Sequence, residues 1–371
     1  MPPFDFHAAD LAALSARGRL RALAPRAGHD FSSNDYLGLA RDPRLAAAVE
    51  AALARGAAIG SGGSRLLRGN DGEHEALEAE AAAFFGAEAA LFFANGYMAN
   101  LALLSALPQP GDLIVHDAWI HASAHDGMRL SRAPSAAAAH NDPGAFEAAI
   151  AGWRRGGGRG TPWIVVESLY SMDGDRAPLA ALAEVAARHE GVLLVDEAHA
   201  TGAFGAGLAE HLHARREVVT LHTCGKALGC EGALVCGPSV VRDFLVNRAR
   251  SFIFTTAPSP LMAAAVREAL RILAGEPERQ VRLHQLVTHA SEVLAPFGVA
   301  ATGSQILPLI LGDDVRAMAA AAALQARGFD VRGIRPPTVP EGTSRLRLSI
   351  TLNVDEAAID ALGEALGEVL G

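Results

Sequence analysis

Six short apolar runs recur through the middle of the chain with helical stretches between them: ALFFA (90–94), DLIVH (112–116), WIVVE (163–167), GVLLVD (191–196), EVVTLH (217–222) and ALVCG (233–237). A strand that is apolar at nearly every position must be covered on both faces. Strands that alternate with helices pair in parallel. The pattern therefore predicts an α/β fold around a mainly parallel sheet with helices on both sides. The helical stretches carry their own end signals. RDPRLAAAVEAALARG has Asp42 in place to cap, Pro43 at the first helical position and Gly56 beyond the end. NDGEHEALEAEAAAFFG puts Asn70 and Glu73 at capping-box spacing and stops at Gly86. APLAALAEVAARHEG starts near Pro178 and ends before Gly191.

Past residue 260 the pattern changes. Helices lead into ILPLILG (306–312), a helix ending near Gly328, RLRLSI (345–350) and a last helix over 355–370. That last helix puts Ile359, Leu362, Leu366 and Leu370 on one face. This is a smaller α+β domain. A chain of 371 residues is too long for one small core. The expected division is an N-terminal segment 1–40, a large domain 41–265 and a small C-terminal domain 266–371.

Charge narrows the partners. A net charge of −9 with scattered Arg residues argues against a nucleic-acid surface. The N-terminal stretch carries Asp5 and Asp10 without a basic region, which is not a secretory signal. No uncharged apolar run is long enough for a membrane span. Cys224, Cys230 and Cys236 are spaced by six, which fits no common zinc pattern. They read as buried, reduced thiols of a cytoplasmic protein.

In an open parallel sheet, ligands bind beyond the carboxyl ends of the strands. The polar clusters fall there: HDAWIHAS, ESLYSMDGD, DEAHATG and HTCGK each follow an apolar run. They offer His121, Glu167, Ser171, Asp196, His199, Thr223 and Lys226. Lys226 is the only lysine in the chain. A compositional bias toward Arg explains why lysine is missing elsewhere, but not why this one sits past a strand end. Arg stays protonated at any working pH, whereas a lysine amine can lose its proton and act as nucleophile or base. Asp196 can pair with a protonated ring nitrogen, and an imidazole can lie against a flat ring. ANGYMAN (94–100) opens a helix, so the amides of Gly96 and Tyr97 can hold a phosphate. Lysine, acid and phosphate cradle are together the parts of a pyridoxal 5'-phosphate site. GAGLAE (205–210) and GSGGS (60–64) do not complete a dinucleotide fingerprint and read as turns. His121 and His125 have the spacing of a zinc pair without its Glu, and no metal site is expected.

Six motifs, FSSNDYLGL (31–39), GSGGSRLLRGN (60–70), ESLYSMDGD (167–175), VDEAHATG (195–202), TCGK (223–226) and IRPPTVPEGTSRLRLSI (334–350), occur in order along nearly the whole chain. In these the sequence resembles the α-oxoamine synthases. The resemblance implies a fold-type-I pyridoxal-phosphate transferase with a large sheet domain and a smaller C-terminal domain. Lys226 would carry the cofactor, Asp196 would hold its ring nitrogen protonated and His121 would stack on the ring. His199 and Ser171 would bond the ring hydroxyl, and Gly96, Tyr97 and Thr223 the phosphate. Arg347 would clamp the amino-acid carboxylate as a bidentate fork, with Arg345 on the same strand face as its competitor. Arg21, Asn34 and Thr338 would lie near the substrates, with Arg19 as a rival to Arg21. Catalysis would fall to Lys226, His121, Asp196 and His199. IRPPTVP points to the member that joins L-alanine to a pimeloyl thioester, on CoA or acyl carrier protein, in biotin biosynthesis. A homodimer with shared sites is implied, in which FTTAPSP (254–260) reaches the neighbour's phosphate. The alternatives are a sister synthase using glycine or serine, a catalytically silent subunit of the same fold, and a nucleotide-binding oxidoreductase.

Overall fold

The computed structural model describes residues 3–371. Met1 and Pro2, the first residues of the expected N-terminal segment, lie outside the described residues. The chain divides into two compact units. One holds residues 37–171 and 176–280; the other holds 3–36, 172–175 and 281–371. The expected boundary at 265/266 falls inside the helix Pro260–Gly275, which packs against the helices Pro43–Ala54 and Gly72–Phe84 of the first unit.

The first unit is built on seven strands: β1 Ala89–Phe93, β2 Leu113–Asp117, β3 Ser135–Ala138, β4 Pro162–Glu167, β5 Val192–Asp196, β6 Val218–Thr223 and β7 Ala233–Gly237. Their order across the sheet is β1-β7-β6-β5-β4-β2-β3. β3, β2, β4, β5 and β6 pair in parallel. β7 runs antiparallel to both β6 and β1, so the sheet is mixed at one side. The cause is the length of the connection. Only residues 224–232 separate β6 from β7, too few for the crossover that a parallel pair requires. β3, the run SAAA, has no large apolar residue and was not among the expected strands.

Alternation along each strand sorts the side chains into two cores. Ile114, Trp163, Val165, Leu194, Val219 and Leu221 join Ala99, Leu103, Ala124 and Met128 from the helices Gly96–Ala106 and Ala122–Leu130. Leu113, Val115, Ile164, Val166, Leu193 and Val195 join Phe146, Ile150, Leu182 and Val185 on the opposite face. Both faces are covered, as runs without polar positions require.

Local signals mostly act as expected. Asp42 caps its helix by accepting from the Arg44 N–H, with Pro43 first. The capping box at 70–73 shifts by one residue: Asp71 is the cap and His74, not Glu73, closes the box. Asp71 and His74 have the same three-residue spacing, and the imidazole serves as acceptor where a Glu usually does. Cys224 and Cys236 are buried, whereas Cys230 is only half-buried.

The second unit has a three-stranded antiparallel sheet, Arg332–Ile334, Ser344–Ser349 and Ile306–Gly312. The helices Asp314–Ala326 and Glu356–Leu370 belong to it. His29–Asp30 pairs with Phe329–Asp330, which brings the N-terminal segment onto this unit. Among the described residues, no helix is long and apolar enough to cross a membrane.

Leu194 on β5 is fully buried between the strand and the helices above it. Leu194→Ala should cost about 3 kcal/mol of stability, read from the urea unfolding midpoint. A loss below about 1 kcal/mol would mean that the helices do not close over this face.

Candidate active site

The strand ends divide the polar residues by the same alternation that divides the cores. Glu167 continues the face of Trp163 and Val165, Asp196 that of Leu194, and Thr223 that of Val219 and Leu221. All three therefore stand on the face covered by the helices Gly96–Ala106 and Ala122–Leu130. Glu197 follows Asp196 and falls to the other side. Its carboxyl takes the Ser168 hydroxyl and the backbone N–H groups of Leu208 and Ala209.

Asp196 is buried and held on both oxygens. Oδ1 accepts the Ala198 N–H at 2.9 Å, and Oδ2 accepts the Asn100 side-chain amide at 2.8 Å. A carboxylate has about four acceptor directions, so this leaves capacity for a further donor. The same Asn100 amide donates to Ser123 Oγ at 2.9 Å, and Ser123 Oγ meets His121 Nδ1 at 2.8 Å. A chain of polar contacts thus runs from the ring of His121 to the carboxylate of Asp196. Neither Asn100 nor Ser123 was expected. The signal for Asn100 was its place among Ala99, Ala102 and Leu103 on a buried helix face, where an amide requires partners.

His121 caps the helix Ala122–Leu130, and its ring accepts the Ser123 N–H. The residue keeps a solvent-exposed surface. Partial burial lowers the pKa of its imidazole; Asp196 opposes this and Lys226 adds to it. Burial pushes the Glu167 carboxyl well above the usual carboxylate range, and Asp196 pushes in the same direction. Lys226, with the backbone N–H groups of Ser171 and His121, pulls it back. These couplings place Lys226, His121, Glu167 and Asp196 in one electrostatic neighbourhood. His199 lies three residues after Asp196 and is buried.

Lys226 rides on the short return from β6 to β7. Backbone bonds from Cys224 N–H to Gly232 O, Cys230 N–H to Cys224 O and Gly229 N–H to Lys226 O, each 2.9 Å, tie this loop internally. The helix Gly96–Ala106 starts beside it. Asn95 caps that helix through the Met98 N–H, leaving the amides of Gly96 and Tyr97 without intrahelical partners. A Cβ at position 96 would come 2.6 Å from Thr223 Cγ2, so only glycine fits this contact. Thr223 Oγ1 itself donates to Ala198 O at 3.2 Å. Two helix-start amides next to a threonine make a cradle for a phosphate. With an open acceptor direction on Asp196, these residues fit a phosphorylated pyridine.

The substrate residues expected from the sequence form two pairs within the second unit. Asn34 Oδ1 accepts from Arg347 Nη2 at 3.1 Å, and Arg347 also donates to Ser349 Oγ at 2.8 Å. Arg345 instead forms an ion pair with Asp173 at 2.5 Å. Arg21 donates to Thr338 Oγ1 at 3.3 Å. Its rival Arg19 is bound to Asp314 at 2.7 Å and Glu341 at 2.8 Å. Among the described residues, no cluster of His, Cys, Asp and Glu could hold a metal ion.

Burial raises the Glu197 carboxyl to about 7, against its hydrogen bonds and with help from Asp196. Unfolded chains release this proton near 4.5, so the folded chain retains it longer. The associated stability is fully present below that value and is lost as pH rises through about 7. Glu197→Gln should flatten the fall in urea midpoint across this window. An unchanged slope would place the titration elsewhere.

Residues 28–366 match the family model of aminotransferase class I and II. An 8-amino-7-oxononanoate synthase of Anaeromyxobacter sp. (strain K) is 45% identical, over 99% of this chain and 96% of that protein. Among solved structures, serine palmitoyltransferase from S. paucimobilis, bound to a PLP–myriocin adduct, superposes with a TM-score of 0.88. It is 28% identical and covers 99% of this chain and 97% of its own. An 8-amino-7-oxononanoate synthase from Francisella tularensis gives a TM-score of 0.78 at 27% identity, covering 92% of this chain and 98% of its own. The chain belongs to the aminotransferase class I and II family and, within it, to the group of the 8-amino-7-oxononanoate synthases.

Proposed function

We propose that this chain condenses L-alanine with a pimeloyl thioester, giving 8-amino-7-oxononanoate, carbon dioxide and free thiol in biotin biosynthesis. The acyl group is carried on CoA or on acyl carrier protein, and the cofactor is pyridoxal 5'-phosphate. One observation carries the reading: the only lysine sits on a tied loop beside a phosphate cradle, within electrostatic reach of a buried carboxyl beside Asp196.

Pyridoxal phosphate, when bound, supplies an electron sink for the carbon that loses its proton. The chain supplies the rest. Lys226 would hold the cofactor, and its neutral amine would take the alanine Cα proton. Asp196, fixed by Asn100 and the Ala198 N–H, would keep the ring nitrogen protonated. His121, oriented through Ser123, would support the ring. His199 and Ser171 would hold the ring hydroxyl, and Gly96, Tyr97 and Thr223 the phosphate. Arg347 takes the alanine carboxylate; its guanidinium is oriented by Asn34 and Ser349. Arg21 and Thr338, already in contact, receive the acyl substrate with Asn34.

The homodimer is part of the same proposal. Phe254, Ile59 and Leu67 are exposed at 71%, 76% and 86%. Their segments are tied together by bonds from Ser61 to Pro258 O at 2.5 Å and from Ser259 to Ile59 O at 2.6 Å. Apolar side chains exposed on two linked segments suit a second copy of the chain. The place of action is the cytoplasm, in keeping with three cysteines that form no disulfide.

A second reading is a sister enzyme that uses serine or glycine with another acyl-CoA. The higher TM-score with serine palmitoyltransferase favours it. The 45% identity to an 8-amino-7-oxononanoate synthase favours the first. Turnover of L-alanine, glycine and L-serine against pimeloyl-CoA and palmitoyl-CoA separates them. Alanine with pimeloyl-CoA should be preferred; preference for glycine or serine would overturn the assignment. Lys226→Arg keeps the charge but not the nucleophile, and should lower turnover by at least about 10³-fold. Borohydride reduction with labelled cofactor should mark Lys226 in the wild type and leave residue 226 unmarked in the variant. Normal turnover by Lys226→Arg would exclude the mechanism.

A further inference from the structure

Four polar side chains, Asn100, Ser123, His121 and Asp196, meet between two helices and the end of β5, and their hydrogens can be counted. Asn100 on the helix Gly96–Ala106 and Ser123 on the helix Ala122–Leu130 are both buried. The helices come close at Gly127, where a Cβ would stand 2.9 Å from Asn100 O. An Asn amide nitrogen carries two hydrogens. Asn100 Nδ2 gives one to Asp196 Oδ2 at 2.8 Å and the other to Ser123 Oγ at 2.9 Å. The reversed amide would set its oxygen against the Asp196 carboxylate, acceptor facing acceptor. Asp196 therefore decides which end of the amide faces Ser123, and the Ser123 hydroxyl accepts there. The hydroxyl's own hydrogen is left for His121 Nδ1, 2.8 Å away. A second donor reaches the same nitrogen. The Ser123 backbone N–H meets His121 Nδ1 at 3.2 Å, the bond by which His121 caps its helix. A proton on Nδ1 would face that N–H, donor against donor. It would also bring a positive charge to a helix start, where the dipole opposes it.

We propose that Asn100 and Ser123 are positioning residues that fix the proton of His121: Nδ1 is held as an acceptor, and Nε2 carries the hydrogen. A neutral ring in this form, with Nδ1 already engaged, has no lone pair left for a base. His121 can donate from Nε2 but cannot take up the Cα proton, which leaves that step to Lys226. This consequence for catalysis rests on the proposed condensation; the position of the proton does not. Protonation of Nδ1 would cost both bonds, so the donor chain also keeps His121 neutral to lower pH. The ionisable groups around the ring are Asp196 on β5, Lys226 beyond β6, Glu167 at the end of β4 and His199 beyond β5. His125 stands one turn along the same helix, with the ring of His116 from β2 against it. Burial of the His121 ring acts in the same direction as the donor chain, Asp196 acts against it, and Lys226 acts with it.

Neutron diffraction from deuterium-exchanged crystals of the wild-type holoenzyme at neutral pH reads the chain directly. Deuterium should lie on His121 Nε2, on the Ser123 hydroxyl toward Nδ1, and on Asn100 Nδ2 toward both Ser123 and Asp196. His121 Nδ1 should be bare. Deuterium on His121 Nδ1 would overturn the proposal, and this measurement needs no variant to fold. Two variants test the residues that set the pattern. Ser123→Ala removes the hydroxyl donor and changes no charge. NMR titration of the His121 ring nitrogens, in holoenzyme with labelled histidine, should show the midpoint raised by about half a unit or more. The signals of His121 are those missing from His121→Gln. An unmoved midpoint in Ser123→Ala would overturn the part given to Ser123. Asn100→Asp reverses the chain: a carboxylate at position 100 takes the Ser123 hydrogen, and the hydroxyl oxygen then accepts from His121. The ring should carry a proton on Nδ1 at a pH where the wild type does not. A bare Nδ1 in that variant would overturn the part given to Asn100. Failure of the cofactor reading shows separately, as a wild type that takes up no pyridoxal phosphate. The deuterium positions in the cofactor-free chain then still decide this inference.

Discussion

The burial of both faces of the seven-stranded sheet is the constraint from which the site follows. A core sealed on two sides has no room for unpaired polar groups along the strands. Polar side chains can leave it only where the strands stop. Six of the seven strands run the same way, so their carboxyl ends collect at one edge, and β4, β5 and β6 deliver Glu167, Asp196 and Thr223 there. The alternation of side chains then decides which of two adjacent acids does what. Asp196 turns to the face of the helices Gly96–Ala106 and Ala122–Leu130. Glu197, one residue on, turns away and ties down the loop at Leu208 and Ala209.

The carboxyls at this edge are kept by different means. Asp196 is surrounded by donors, one from its own loop and one from Asn100 on the covering helix. That arrangement suits a carboxylate whose task is to hold a proton on something else. Glu167 and Glu197 are driven toward their protonated forms by burial, and Asp196 adds to the push in both. The polar chain through Asn100 and Ser123 then sets His121 relative to Asp196. Orientation and charge are thereby supplied by the same few residues.

Much of this could be read along the chain. The apolar runs placed six of the seven central strands within a residue of their observed ends, because a doubly covered strand needs an unbroken apolar pattern. The polar clusters after those runs already contained Glu167, Asp196, Thr223 and Lys226. What escaped reading has physical reasons. SAAA pairs as β3 through its backbone, and its small side chains carry no signal. The antiparallel return of β7 is set by the length of a loop and not by the composition of the strand. The capping box moved by one residue because a histidine can accept where a glutamate was sought.

The sequence by itself determined the class of chemistry: one amine among guanidiniums, placed beyond a strand end, with acids and an imidazole at corresponding positions. It also determined the α/β layering, since periodicity and turn residues are local properties. Only the tertiary structure decided the pairings. Asn100 and Ser123 became the link between His121 and Asp196, Asp173 took Arg345 and Asn34 took Arg347. These choices depend on which side chains meet across elements far apart in the chain. Hydrogen bonds and charge couplings fall off within a few ångströms, so they exist only once packing has brought the groups together.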